Sequence, residues 1–219
     1  MSKHLPTDLS DCRDQLQQGL SSLELALDST TIDKFINYLA LFTQWNTAYN
    51  LSAIEDPNQI VSKHLLDSLS VANYLIGDSI IDVGSGAGLP GIPLALAMPQ
   101  RQFTLLDSNG KKTRFLYQVR EQLRLANVSI VNQRLEQYVP ETKYDGVISR
   151  AFSKLPAFVA ACRHLLTEQG RIWAMKGVFP QTELSELEKQ YIVEDSISLQ
   201  VPGLHAERCL LVIKVQKQL

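Results

Sequence analysis

Ile80–Pro93 reads IIDVGSGAGLPGIP, a short apolar run followed by glycines at alternate positions and then by the start of a helix. The two leading isoleucines predict a buried strand. Gly84, Gly86 and Gly88 allow the backbone to adopt positive φ and to approach a ligand without a Cβ in the way. The helix that follows would direct free N–H groups at negative charge. This stretch therefore predicts a cofactor-binding loop made of backbone.

The glycine spacing leaves more than one cofactor open. Gly86-x-Gly88-x-x-Gly91 satisfies the dinucleotide fingerprint, and Asp107 lies about 20 residues further on, where a ribose-binding acid is expected. Asp82, two residues before the first glycine, instead completes the pattern D-x-G-x-G-x-G. Prolines in the turn remove N–H donors that a pyrophosphate would need, and S-adenosylmethionine has no pyrophosphate. The pattern resembles the first motif of class I methyltransferases, which favours that class over a nicotinamide or flavin enzyme and over a glycine-rich turn without a ligand.

From residue 80 onward, strand-like and helix-like segments alternate, as a parallel sheet with crossover helices requires. Strands are predicted at 80–84, 102–107, 128–132, 144–149 and 171–175, and helices at 91–98, 110–126, 156–167 and 181–190. The last two strand-like runs, 191–201 and 209–215, have no helix between them and should pair antiparallel. The predicted fold class is α/β, a class I (Rossmann-like) methyltransferase fold whose mostly parallel sheet is finished by an antiparallel hairpin.

The chain before the glycine loop reads as a helical extension. Thr30 and Asp33 resemble a capping box ahead of apolar residues at helical spacing, and Asp56-Pro57 predicts a further helix start. We therefore expect two domains, an N-terminal helical cap at 1–78 and an S-adenosylmethionine-dependent methyltransferase domain at 79–219.

Composition argues against several classes of protein. The uncharged run of 18 residues at 83–100 holds four glycines and three prolines, which argue against a membrane-spanning helix. The N-terminus is acidic where a signal peptide would be apolar, and the three cysteines are odd in number and widely spaced, which indicates a reducing cytoplasm. Neither the cysteines nor the four histidines stand at metal-ligand spacing. We expect a cytoplasmic monomer that binds neither a membrane nor a metal.

Charge is distributed unevenly along the chain. Residues 1–79 hold 4 Lys/Arg and 10 Asp/Glu, whereas residues 101–176 hold 13 and 6. Any single basic residue can simply belong to a solvated helix face. As a set, the basic residues around the predicted cofactor loop indicate a polyanionic substrate.

Five segments, spread in order over about Trp45 to Lys214, resemble the RsmG family, also called glucose-inhibited division protein B. They are WNTAYNLSAI (45–54), KHLLDSL (63–69), IIDVGSGAGLPGIPLA (80–95), FTLLDSNGKKTRFL (103–116) and YDGVISRAF (144–152). The resemblance implies a bacterial cytoplasmic methyltransferase that moves a methyl group from S-adenosylmethionine to N7 of one guanine in the 530 loop of 16S ribosomal RNA. Its partner would be that RNA or a small-subunit particle. The family commonly has Asn-Leu-Thr where this chain has Asn50-Leu51-Ser52, which keeps the hydroxyl.

The resemblance and the class I pattern together give a set of expected cofactor contacts. The glycine loop should form the methionine and ribose side, and Asp107 with Ser108 the ribose and adenine side. Residues after the third strand line the adenine in this superfamily, and Arg150 resembles the family's cofactor-contacting arginine. The expected cofactor residues are Gly84, Gly86, Gly88, Leu89, Asp107, Ser108, Leu135, Glu136 and Arg150.

The acceptor side of the site is predicted less sharply. Asn50, His64, Asp67 and Lys176 occupy family-like motifs and are candidates for holding the guanine, although His64 and Asp67 can also simply pair along one helix. The candidates for RNA contact are Trp45, Lys111, Lys112 and Arg114, and Trp45 can equally continue a core stripe.

Three functions from different classes stay open on the residues alone. They are the ribosomal RNA methyltransferase, a methyltransferase of a small molecule or protein, and a non-catalytic nucleotide-binding regulatory module. The basic stretch favours the first over the second, and the complete set of cofactor residues argues against the third.

Overall fold

The structure, a computed structural model, describes residues 9–150, 152 and 154–216. The helices are α1 Ser10–Ser22, α2 Ser29–Tyr49, α3 Pro57–Ile60, α4 Asp67–Leu69, α5 Gly91–Ala97, α6 Gly110–Leu123, α7 Leu155–Cys162 and α8 Gln181–Ser185. A π-helical turn, Val61–Leu66, joins α3 to α4, and 3₁₀ turns lie at Ala72–Tyr74, Leu135–Gln137 and Arg163–Leu165. The strands are β1 Ser79–Val83, β2 Gln102–Leu106, β3 Val128–Val131, β4 Tyr144–Ser149, β5 Leu166–Lys176, β6 Tyr191–Ser198 and β7 Cys209–Val215.

All seven strands form one sheet in the order β3-β2-β1-β4-β5-β7-β6. Strands β1 to β5 pair in parallel, whereas β7 is antiparallel to both β5 and β6. The predicted fold class is confirmed, including the closing hairpin. The chain runs outward from β1 to β3 and then returns to place β4 on the other side of β1. Ligands bind at such a reversal, beyond the carboxyl ends of the strands.

Helix starts follow local capping chemistry. Asp56 accepts a hydrogen bond from the Asn58 amide (3.1 Å) with proline at the first helical position, as predicted. The predicted capping box is wrong, because α2 begins earlier. Its N-cap is Asp28, whose carboxylate accepts from the Thr31 amide at 2.7 Å.

Each face of the sheet carries its own hydrophobic cluster. Successive residues of a strand point to opposite faces, so Ile80 joins one cluster and Ile81 the other. The first cluster includes Leu16 and Phe35 of the N-terminal helices as well as Phe115 of α6. The N-terminal helices and the sheet therefore share a core, and α2 lies directly behind the glycine loop.

Two helices end about five residues before their predicted ends, whereas α5 and α6 fall short by one and three residues. The helix expected at 156–167 ends at Cys162, and β5 already begins at Leu166, which pairs with Tyr144 of β4 and is buried in the second cluster. The helix expected at 181–190 ends at Ser185 and has no fully buried residue. At α7 the pairing of Leu166 with the sheet outweighs the local helical pattern.

Candidate active site

The glycine loop leaves β1 in a conformation that suits glycine. Gly84, Gly86 and Gly88 have φ values of 72°, 59° and 88°. A Cβ on Gly88 would lie 2.4 Å from Ile92 Cγ1, which leaves no room for a side chain there. The amides of Gly84 and Ser85 donate to the Leu106 carbonyl oxygen at 2.8 and 3.1 Å, so the loop is fixed to the end of β2.

Two buried side chains support this loop from beneath. Asp82 is fully buried, and its Oδ2 accepts a hydrogen bond from the Gly91 amide at 2.8 Å, which ties β1 to the start of α5. Burial raises the pKa of Asp82 to about 7. The Tyr38 hydroxyl donates to the Ala87 carbonyl oxygen at 2.6 Å. Asp82, the first residue of the D-x-G-x-G-x-G pattern, therefore acts on loop geometry and does not line either cavity described below.

The first cavity, of about 250 Å³, opens beyond the carboxyl ends of β1 and β2. The Asp107 carboxylate accepts from the Gly86 amide (2.8 Å) and from the Asn109 amide (2.7 Å), which fixes it between the glycine loop and α6. Five of the predicted cofactor residues line this cavity, namely Gly84, Asp107, Ser108, Leu135 and Glu136. The Asp107 carboxylate can accept hydrogen bonds from the hydroxyl groups of a ligand. Val83, Leu106 and Leu135 give the cavity an apolar side that suits a flat ring.

The remaining predicted cofactor residues lie elsewhere. Gly86 and Gly88 shape the loop beside the cavity, and Leu89 is buried in the first hydrophobic cluster. Arg150 lines a different cavity. Sequence reasoning did not single out Phe152, which lines the first cavity and stacks on Phe158 with ring centroids 4.5 Å apart.

The second cavity, of about 340 Å³, is held by an ion-paired carboxylate. Asp67 is only 2% exposed, and its two oxygens contact Arg150 Nη1 at 3.0 Å and Arg208 Nε at 2.7 Å. Lys63, His64 and Lys176 also line this cavity. Three predicted acceptor residues, His64, Asp67 and Lys176, are thus brought together with Arg150. Arg208 was missed, because no sequence motif marks it.

His64 is part of a neutral network within this region. Burial, with the nearby charge of Arg150, lowers the pKa of His64 to about 4, so the ring is neutral at pH 7. Its Nε2 lies 2.8 Å from the Ser52 hydroxyl oxygen and its Nδ1 lies 3.0 Å from the Lys63 carbonyl oxygen. The Ser52 amide donates to Asn46 at 2.7 Å. The hydroxyl that this chain shares with the family's Asn-Leu-Thr motif therefore anchors the loop after α2 to the histidine.

Lys176 connects the two cavities. It lies at the end of β5, where its Nζ is 2.9 Å from a Glu183 carboxylate oxygen and 3.4 Å from the Phe152 carbonyl oxygen. Glu183 also accepts from the Leu155 amide. Since Phe152 lines the first cavity and Lys176 the second, this contact joins a residue of one cavity to a residue of the other.

Asn50 and Trp45 lie outside both cavities. Asn50 is the exposed C-cap of α2 and adopts a left-handed conformation with φ 51°. Trp45 is half-buried, stacks on Tyr49 with ring centroids 5.0 Å apart, and contacts Phe115 of α6. The ring pair gives the surface next to α6 a flat aromatic face, because Tyr49 is 48% exposed.

The basic residues of α6 fall into two groups. Lys111 and Arg114 are exposed. Lys112 is half-buried and turns toward the glycine loop, where a Cβ on Gly86 would lie 3.8 Å from its Nζ.

Comparison with known proteins connects this geometry to a family. Residues 31–212 match the family described as GidB, rRNA small subunit methyltransferase G. A protein named ribosomal RNA small subunit methyltransferase G from Saccharophagus degradans is 52% identical over 93% of this chain and 92% of its own length. Its namesake from Pseudomonas aeruginosa is 49% identical over 92% of this chain and 94% of its own length. The chain belongs to this family.

Solved structures of methyltransferases share the fold of this protein. A methyltransferase from Thiobacillus denitrificans in complex with S-adenosyl-L-homocysteine matches 69% of this chain and 91% of its own, with a TM-score of 0.52 and 14% identity. TYW2 from Pyrococcus horikoshii in complex with MeSAdo matches 71% of this chain and 63% of its own, with a TM-score of 0.56 and 11% identity.

The protein is an S-adenosylmethionine-dependent methyltransferase, and its residues fit that cofactor. The loop has positive φ at three glycines, and a Cβ at Gly86 would make only ordinary contacts, with Lys112 Nζ at 3.8 Å and the Gly84 carbonyl oxygen at 3.9 Å. Within the described ranges, no helix is both long and apolar enough to span a bilayer. Those same ranges contain no group of three or more His, Cys, Asp or Glu that could hold a metal ion.

Proposed function

We propose that this protein transfers the methyl group of S-adenosylmethionine to N7 of a single guanine in the 530 loop of bacterial 16S ribosomal RNA. Family membership supports the substrate. The observation that carries the proposal is the contact between Lys176, which lines the cationic second cavity, and Phe152, which lines the first cavity. We assign the first cavity to the cofactor and call it the cofactor cavity.

The chemistry asks for positioning more than for a base. When bound, S-adenosylmethionine supplies an electrophilic methyl group on a sulfonium. N7 of guanine already presents an in-plane lone pair, so its attack requires no prior removal of a proton. A neutral His64 suits this reaction, because no side chain of the second cavity, which we call the acceptor cavity, has to take up a proton. Holding the reactants in line can lower the barrier by roughly 7–11 kcal/mol, and fixed dipoles add to this.

The cofactor roles are proposed from the placement of the residues. Gly84, Gly86 and Gly88, with Leu89 behind them, shape the surface for the methionine and ribose. Asp107 and Ser108 accept hydrogen bonds from the ribose hydroxyls, and Leu135 and Glu136 line the adenine.

We propose the second cavity as the acceptor site. A guanine within folded RNA must be exposed before it can react, and a cavity flanked by basic side chains suits a flipped nucleotide and its phosphate. His64, Asp67 and Lys176 keep their proposed acceptor roles, whereas Asn50 becomes a residue that ends α2. Arg150, held by Asp67, lines the same cavity.

Trp45 with the exposed basic residues of α6 forms the proposed RNA surface. Phosphates would contact Lys111 and Arg114, and an unpaired base would stack on the ring pair. Such contacts predict binding that weakens steeply as salt rises.

The division into a helical cap at 1–78 and a methyltransferase domain at 79–219 is also a proposal. It is supported by the helices that precede β1, which supply His64 and Asp67 to the acceptor cavity. Residues 1–8 and 217–219 of this division lie outside the described residues. We further propose a monomer that acts in the cytoplasm, where ribosomal RNA is found.

A deletion strain tests the substrate. Its 16S RNA should lack one N7-methylguanine in the 530 loop, and purified protein with S-adenosylmethionine should restore it. Borohydride reduction followed by aniline cleavage locates the modified base to one nucleotide, because N7 methylation makes the glycosidic bond labile. A deletion strain that retains the modification would overturn the proposal.

A charge-reversal pair separates RNA contact from cofactor contact. Lys111→Glu with Arg114→Glu should lower RNA affinity at low salt by at least tenfold and leave S-adenosylhomocysteine binding unchanged. Lys143→Glu with Lys189→Glu is the matched control. Both lysines are exposed and precede β4 and β6, so they lie at the amino ends of these strands, away from the cofactor cavity at the carboxyl ends. Equal losses in the two pairs would mean that net charge, rather than this surface, determines RNA binding.

A further inference from the structure

Lys112 differs from its basic neighbours Lys111 and Arg114 at the start of α6. It lies in the first turn of that helix and is half-buried, whereas Lys111 and Arg114 are exposed. Among the residues that the structure describes, the Lys112 ammonium has no hydrogen-bond or ion-pair partner. A partly desolvated charge without a partner is unfavourable, and an anion beside it would offset that cost.

The space next to this ammonium opens onto the glycine loop. Of the residues that the structure describes, other than its chain neighbours, a Cβ on Gly86 would have two heavy atoms within 4 Å, Lys112 Nζ at 3.8 Å and the Gly84 carbonyl oxygen at 3.9 Å. Gly86 carries no side chain, so the gap between its backbone and Lys112 remains open. The Gly86 amide is already engaged by Asp107 at 2.8 Å. Lys112 is therefore the cation that faces the gap beside Gly86.

The chemistry of the cofactor identifies an anion for this gap. S-adenosylmethionine carries a positive sulfonium, a positive α-ammonium and one negative group, the α-carboxylate of its methionine part. Asp107 is the proposed ribose ligand. Because Asp107 contacts the Gly86 amide, the glycine loop lies directly next to the proposed ribose position. The amino-acid part extends from the ribose carbon and has to lie along this loop.

We propose that Lys112 binds the α-carboxylate of S-adenosylmethionine through its ammonium group. This inference rests on the cofactor site proposed above and deepens it. Lys112 is thereby assigned to the cofactor and not to RNA phosphate, in contrast to its neighbours on α6. It would also make the site discriminate between adenosine compounds that have the amino-acid part and those that lack it.

Two cofactor-like compounds test the assignment directly. S-adenosylhomocysteine contains the α-carboxylate, whereas 5′-methylthioadenosine has the same adenosine and a thioether but no amino-acid part. Titration calorimetry with Lys112→Met should show at least a tenfold loss of affinity for S-adenosylhomocysteine, since a hydrogen bond to a charged group is lost. Affinity for 5′-methylthioadenosine should stay within about twofold of wild type, because the contact is absent from that complex.

Lys111→Met is the matched control, because it removes an adjacent lysine from the same helix turn at an exposed position. It should leave the affinity for both compounds unchanged. Lys112→Arg, which keeps the charge, should recover part of the lost affinity. Thermal unfolding of each variant confirms that the fold is retained.

Several results would overturn the inference. Wild-type affinity of Lys112→Met for S-adenosylhomocysteine would show that the ammonium makes no contact, and a parallel loss of RNA affinity would reassign Lys112 to phosphate. Equal losses for both compounds would mean that Lys112 supports the loop as a whole. Failure of the wild-type protein to bind S-adenosylhomocysteine would instead remove the cofactor site itself, which separates that failure from an error about Lys112.

Discussion

The two cavities of the active site are built in different ways. The cofactor cavity is made largely of backbone from the loop after β1 and the residues after β2, and glycine conformations determine its shape. The acceptor cavity depends on side chains whose partners are distant in sequence. Asp67 is 83 residues from Arg150 and 141 residues from Arg208. A backbone site can be encoded in one short segment, whereas an ion-paired site exists only after the whole chain has folded.

The difference extends to electrostatics. The cofactor cavity presents the Asp107 carboxylate, which is held by two amides and suits ribose hydroxyls. The acceptor cavity surrounds one carboxylate with four basic side chains, Lys63, Arg150, Lys176 and Arg208. An excess of cations next to the cofactor suits a nucleotide with its phosphate.

Breaking the backbone of the cofactor loop should have the largest effect. In Gly86→Val, a β-branched residue would have to adopt φ near 59°, which is strained, and its side chain would fill the gap beside Lys112. We expect S-adenosylhomocysteine affinity to fall by more than about a hundredfold by calorimetry, which corresponds to about 2.7 kcal/mol or more. Gly110→Ala is the control, since it adds a Cβ on an exposed helix start with ordinary contacts. Unchanged affinity in Gly86→Val would rule out the loop as the cofactor surface.

Removing the central carboxylate of the acceptor cavity should act on stability instead. Asp67→Ala leaves Arg150 and Arg208 without their partner, and we expect the free energy of unfolding to fall by about 3 kcal/mol in urea denaturation. The loss lies at the low end for buried pairs, because the two arginine side chains are 24% and 26% exposed. S-adenosylhomocysteine affinity should change only several-fold.

The exposed ion pair between Arg13 and Asp33 provides the comparison. Asp33→Ala should alter the unfolding free energy by less than about 1 kcal/mol, since both side chains are well hydrated. If Asp33→Ala and Asp67→Ala cost the same, the buried network would have no special role in holding the acceptor cavity.

A further expected effect is a pH dependence of stability at His64. Its pKa is about 4 in the folded protein, against about 6.5 for an unperturbed histidine, so the unfolded state binds more protons between these values. His64 therefore contributes stability that is present above about pH 6.5 and is lost as pH falls toward 4. The difference in unfolding free energy between wild type and His64→Gln should shift in favour of wild type as pH rises from about 4 to 6.5.

The effect of His64 has to be measured as the difference between the two proteins, because Asp82 changes the stability of both with pH in the opposite direction. The raised pKa of Asp82, about 7, means that its contribution to stability decreases as pH rises from about 4 to 7. His205→Gln, at an exposed position, controls for the loss of an imidazole. If the difference in unfolding free energy between wild type and His64→Gln does not change from pH 4 to 7, the lowered pKa of His64 is contradicted.

Much of the fold was predictable because its patterns are local. Strand positions 80–84 and 102–107 agree with β1 and β2 to within about one residue, since buried strands bounded by turns read directly from apolar runs. The hairpin of β6 and β7 was also predicted. The predicted ends of α7 and α8 were wrong. At α7 the reason is that pairing of Leu166 with β4 is a tertiary contact that no local pattern shows.

Prediction of the site followed the same division. Gly84, Asp107 and Leu135 were placed together in advance, because the carboxyl ends of adjacent parallel strands meet at one edge of a sheet. Asn50 was grouped with the acceptor residues but caps α2 at the surface. Arg208 had no motif to mark it, since its role comes from one contact with Asp67.

The sequence alone determined the parallel sheet, the glycine loop and the acid after β2, because these depend on φ preferences and on apolar periodicity within about 30 residues of chain. Only the tertiary structure decided that Asp67 joins Arg150 to Arg208, that Ser52 holds His64, and that Lys112 turns inward. The physical reason is that these relations join side chains across elements. The direction and burial of these side chains are set by packing between elements, which cannot be read from the local sequence.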